Sequence, residues 1–131
     1  MFKVNRTREI FYPIKLNVLK EDGSGTVDEV TIKIKYKLLT RKELKAWLDE
    51  SKKALLDADV KDTDFNVLLD KEESFVVERV TDWDGLIDES TNEKITFAKE
   101  LLISAMEEST QFASKVVAGL YAASQDEPVK N

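Results

Sequence analysis

The chain has 131 residues, 42% of them hydrophobic, with no cysteine, no histidine and a formal net charge of −6. That length suits one domain with a real core, and it excludes disulfides, zinc–thiolate sites, thiol nucleophiles and imidazole acting as base or ligand. Residues 1–53 hold 13 Lys/Arg and 8 Asp/Glu, and residues 54–131 hold 7 and 18, so the first part is positive by 5 and the rest negative by 11. A strongly basic nucleic-acid face is therefore not expected.

Met1 to Glu9 is charged and is not followed by an apolar run, so no secretory signal is expected. Ile14, Leu16 and Val18 alternate with polar residues, which is strand periodicity. Val30, Ile32, Ile34, Tyr36 and Leu38 repeat the pattern, with Thr31, Lys33, Lys35 and Lys37 between them. Asp22-Gly23-Ser24-Gly25 supplies the turn, so the two runs predict an antiparallel hairpin with one buried and one solvated face. The lysines read as that solvated face, which also discourages edge-to-edge aggregation; an anion-binding patch is the alternative.

Thr40-Arg41-Lys42-Glu43 has the form of a capping box. Leu44, Trp47, Leu48 and Leu55 follow at helical spacing and predict a helix over about Arg41–Leu56, with Trp47 in its apolar stripe. Asp57 to Asp64 reads as a loop. Asp64 is placed to cap a helix carrying Phe65, Leu68, Leu69, Val76, Val80 and Trp83, with a break near Lys71–Ser74, although Phe75-Val76-Val77 also suits a strand. Asp82-Trp83-Asp84-Gly85 is expected to stop that helix, with Gly85 as its terminal glycine. Asp88 to Lys94 reads as a polar loop. Phe97, Leu101, Leu102, Ala105 and Met106 predict one helix, and Phe112, Val116, Val117, Leu120 and Tyr121 a last one. Ser124 to Asn131 is polar. The expected fold class is α+β, an N-terminal antiparallel hairpin or small sheet packed against three to four helices. Residues 1–124 would form the domain and 125–131 a tail.

The acid-rich stretch Asp82, Asp84, Asp88, Glu89 is the one constellation suggesting chemistry. Counted from Asp82 as a calcium loop, position 5 is Leu86, position 6 is Ile87 and position 12 is Glu93, so the ligand spacing and the glycine are both wrong. A glycosidase-like carboxylate pair would need a cleft that nothing in the sequence places. No phosphate loop, nucleophile elbow or zinc-helix motif occurs. Neither an enzyme nor a metal or cofactor protein is expected. The apolar stripe Phe112, Val116, Leu120 and Tyr121 is a candidate partner-binding surface, with a plain core face as the more ordinary explanation.

The order of segments resembles one family. An alternating hairpin runs into Leu39-Thr40-Arg41-Lys42-Glu43-Leu44. Val80-Thr81-Asp82-Trp83-Asp84-Gly85-Leu86-Ile87-Asp88-Glu89 and Ile95-Thr96-Phe97-Ala98-Lys99-Glu100 follow, and the helical end carries Leu120-Tyr121-Ala122-Ala123. From about Lys15 to Ser124 this resembles the tail assembly chaperones of long-tailed bacteriophages, with Thr40, Glu43, Trp83, Gly85, Phe97 and Glu100 at the family's motif positions. Thr96 and Ala98 stand where the family has Pro and Ser. Thr96 is therefore expected to cap the third helix a turn early, and the last two helices are free to run together without the family's proline. The resemblance implies a non-enzymatic protein that binds the tape measure protein, keeps it soluble and hands it to tail tube subunits. It implies a site of action in the host bacterial cytoplasm, absence from the mature virion, and no membrane or nucleic-acid partner. In relatives a frameshifted extension recruits the tube protein, and self-association is left open. A small phage or bacterial adaptor or regulatory protein, and a calcium-binding module, are the rival expectations.

Overall fold

The computed structural model describes residues 8–57 and 72–126. Strands β1 (Glu9–Leu19) and β2 (Val27–Lys37) form the predicted hairpin, in register Ile14↔Ile32 and Tyr12↔Ile34. The turn is built locally. Asp22 Oδ1 accepts from the Ser24 amide and hydroxyl, while Gly23 and Gly25 take left-handed backbone at φ 76° and 74°. Helix α1 (Arg41–Asp57) follows, a helical stretch over residues 72–77 (α2) comes next, and β3 (Val80–Asp84) completes an antiparallel sheet of order β1-β2-β3. Helices α3 (Lys99–Glu108) and α4 (Thr110–Ser124) close the fold as an α+β domain.

The core lies between one sheet face and the helices. Ile14, Ile32, Ile34 and Tyr36 meet Val76, Leu102, Val116 and Leu120, all buried. Alternation explains why: even-numbered β1 and β2 residues face the helices and odd-numbered ones face out. The Tyr36 hydroxyl donates to the Val116 carbonyl at 2.7 Å, and burial pushes its pKa well up, so it stays a neutral donor. Gly119 is required there, because a Cβ would collide with the Tyr36 hydroxyl oxygen.

Edge strand β1 is protected. Pro13 has no N–H to offer an incoming strand. At Asn17 the Gln111 side chain occupies the outer edge, its Oε1 accepting from the Asn17 amide at 2.7 Å and its Nε2 donating to the Asn17 carbonyl at 2.9 Å. This pair also pins α4 to the hairpin.

Two predictions need correction. Val80 and Trp83 lie on a strand, so Asp82–Gly85 ends β3, with Gly85 at φ 97°, rather than stopping a helix. The cause is a bulge between Lys35 and Tyr36 opposite β3, which makes Asp82 face Lys35 and Val80 face Tyr36. Thr81 is then the extra residue. Two inward residues therefore sit three apart and imitate helical spacing. Helix α3 starts at Lys99 with Ala98 as an N-cap lacking any side-chain bond, so Thr96 does not cap it and Phe97 lies outside it. Phe97 instead packs edge-on to Trp83 with centroids 5.1 Å apart, which holds this approach extended. The last two helices are separate, as their two apolar runs predict. Ser109 is extended and caps α4 by accepting from the Phe112 amide at 3.1 Å. The expected helical residues Phe65, Leu68 and Leu69, the capping Asp64, and most of the Asp57–Asp64 loop lie outside the described residues.

Candidate functional site

The motif residues serve the scaffold. The capping box is complete: the Thr40 amide donates to Glu43 Oε1 at 3.1 Å and the Glu43 amide to Thr40 Oγ1 at 3.2 Å. The Thr40 amide, and next the Arg79 guanidinium 2.6 Å from Glu43 Oε2, hold the Glu43 carboxyl below its ordinary range. Trp83 is 6% exposed, and its indole N–H donates to the Ile95 carbonyl at 2.7 Å. Gly85 approaches Ile32, where a Cβ would sit 3.4 Å from the Ile32 Cα. Glu100 lies in the first turn of α3, where the helix dipole favours an acid.

The acidic stretch is not a loop site. Register places Asp82 opposite Lys35 and Asp84 opposite Lys33, so the lysine ladder and these two carboxylates share the outer sheet face and offset each other. Lys94 Nζ lies 3.9 Å from Asp84, and Lys35 sits over the Phe11 ring at 5.5 Å. Asp88 accepts from the Ser90 amide and hydroxyl in a local turn, and these bonds hold its carboxyl low. Among the described residues no three acidic side chains gather at metal-binding distance.

The predicted partner-binding stripe divides. Phe112, Val116 and Leu120 are buried and belong to the core, so they present no surface to a partner. Tyr121 is partly buried and edges against Trp47, centroids 6.4 Å apart. Trp47 in turn stacks on Phe75 at 5.3 Å, and its indole N–H finds no acceptor among the described residues.

Among the described residues, large apolar side chains are exposed at several places, and two of these form candidate binding surfaces. The first is the hairpin tip, where Val18, Leu19, Val27 and Val30 are 51, 67, 48 and 40% exposed. Alternation divides them, with Val18 and Val30 on the helix side of the sheet and the cross-strand pair Leu19 and Val27 on the outer side. The alternating pattern marks the tip as strand but not as uncovered, because exposure on the helix side depends on where α4 begins, beside Asn17. The second is a groove of about 550 Å³ between α2 and α3, with Val77 and Met106 in its lining and Ile103 exposed beside them. Sequence reasoning did not find it, since its walls lie more than 20 residues apart. No described helix is long and apolar enough to cross a membrane. The chain matches no protein-family model, no curated protein and no solved structure.

Proposed function

We propose that this protein is a non-enzymatic chaperone of phage tail assembly, which binds the tape measure protein, keeps it soluble and passes it to tail tube subunits. It would act in the host bacterial cytoplasm and be absent from the mature virion. A frameshifted extension, where one exists, would add the tube protein as a second partner.

The observation that carries this reading is the uncovered hairpin tip. Aliphatic side chains stand exposed on both faces of the hairpin tip, Val18 and Val30 on the helix side and Leu19 and Val27 on the outer side. Exposed apolar side chains gathered at one end of a fold mark an interaction surface, and the net charge of −6 keeps a protein bearing them in solution. A holdase needs apolar contact with a client, release by modest affinity, and no reacting groups. The order of motif segments, from the Thr40 capping box to the Tyr121 helix, supplies the choice of client.

The test is co-expression with the tape measure protein of the phage or prophage that encodes this chain. The expected result is a soluble client that co-purifies with the chaperone, and loss of both when Val18 and Leu19 are replaced by serine in a normally folded variant. A client that stays insoluble beside the unaltered chain would sink the reading.

A further inference from the structure

We propose that the groove between α2 and α3 docks an amphipathic helix whose apolar stripe is flanked by lysine or arginine. Three features of the groove set the chemistry of its occupant.

The lining is apolar and adaptable. Val77 and Met106 are buried at 8 and 4% exposure, while Ile103 stands 38% exposed. Methionine is unbranched and polarisable, so it accommodates differently shaped side chains. The volume of about 550 Å³ lies within the ordinary range of binding clefts, about 300–1,000 Å³. It has room for a few side chains rather than a whole chain segment.

The polar part of the lining is acidic. Glu73, Glu78 and Glu107 line the groove with one cation, Lys99, which is ion-paired to Glu78. The lining carries a formal net charge of −2, with Glu73 itself already engaged by a partner, within a region of the chain that is acidic as a whole. An anionic occupant would be repelled, and a basic one attracted and oriented.

The walls are helices. Helices present side chains rather than a strand edge, so the walls offer no ladder for an extended peptide to join. An occupant must satisfy its own backbone on entering an apolar groove, and a helix does so. Anchors at i, i+3, i+4 and i+7 would meet Ile103, Val77 and Met106, while flanking lysines or arginines reach Glu107.

The class of occupant rests on the groove alone; that the helix belongs to a client rests on the chaperone reading. The test keeps these apart by using a synthetic probe, a fluorescein-labelled Leu/Lys amphipathic peptide of about 15 residues, long enough to form a helix. Fluorescence anisotropy should show saturable binding that weakens as salt rises, and a Leu/Glu peptide of the same pattern should not bind. Ile103→Lys with Glu107→Lys should weaken binding roughly tenfold or more, as loss of anchor and complementary charge requires. Ile87→Lys with Glu89→Lys makes the same change in charge at exposed positions outside both the groove and the hairpin tip, and should leave binding within about twofold. On the unaltered protein, the Met106 methyl resonance should move during titration. Equal loss in both variants, greater loss in the Ile87/Glu89 variant, or an unmoved Met106 methyl would each overturn the proposal. A client that remains insoluble would overturn the chaperone reading and leave the groove's chemistry standing.

Discussion

The two tryptophans anchor two differently built regions. Trp83, on β3, is buried, bonded through its indole N–H and packed edge-on against Phe97. Trp47, on α1, is half-buried between Phe75 and Tyr121, with its indole N–H unbonded among the described residues. Their helices differ in the same sense. Helix α4 buries six residues against the sheet, whereas no described side chain of α1 is fully buried. Yet α1 has the sharper separation of apolar and polar residues. Amphipathicity reports which side of a helix seeks cover, not how much cover the fold provides. Helix α1 is attached at its N-terminus, by the capping box and Arg79, and by the Trp47 cluster.

The contrast is sharpest at the tryptophans themselves. Trp83→Ala should cost about 3–5 kcal/mol, the range for truncating a buried large aromatic, measured by chemical denaturation. A variant as stable as wild type would show that Trp83 does not anchor the core. Gly119→Ala should come next, at about 1–3 kcal/mol, because the new methyl collides with the Tyr36 hydroxyl. Tyr36→Phe removes that oxygen. The double variant should therefore lose less than the sum of the singles, by at least about 0.5 kcal/mol. Strict additivity would mean that the two residues do not meet.

Trp47→Ala should cost only about 1–2 kcal/mol, within the ordinary range for single substitutions. A loss matching that at Trp83 would break the distinction between the two regions.

The smallest effect is electrostatic. The Glu43 carboxyl is held below its reference value of 4.5. Its contribution is thus fully present above the unfolded-state pKa and is lost as pH falls through the lower folded value. Glu43→Gln should change stability at pH 7 by under about 1 kcal/mol, since the pair with Arg79 is partly exposed. The variant should also lose less stability than wild type between about pH 5 and 3. Parallel acid profiles for variant and wild type would rule out this contribution.

The sequence by itself determined what depends on neighbours along the chain. Alternation at Val30–Leu38 specified a strand and its buried face, Asp22–Gly25 a turn, and Thr40–Glu43 a helix start whose two reciprocal bonds both form. Tertiary structure decided the rest. The bulge at Thr81 arises only when β3 pairs with β2, and without it Val76, Val80 and Trp83 carry a helical period. Phe97 left its expected helix because its contact, Trp83, lies 14 positions away. The stripe on α4 and the stripe on α1 look alike along the chain. The sheet reaches far enough to bury Phe112, Val116 and Leu120, and leaves Leu48 42% exposed. The groove exists only because α2 and α3 lie side by side. Periodicity is a property of a segment, but burial is a property of what packs on it, and a chain read in order contains the first without the second.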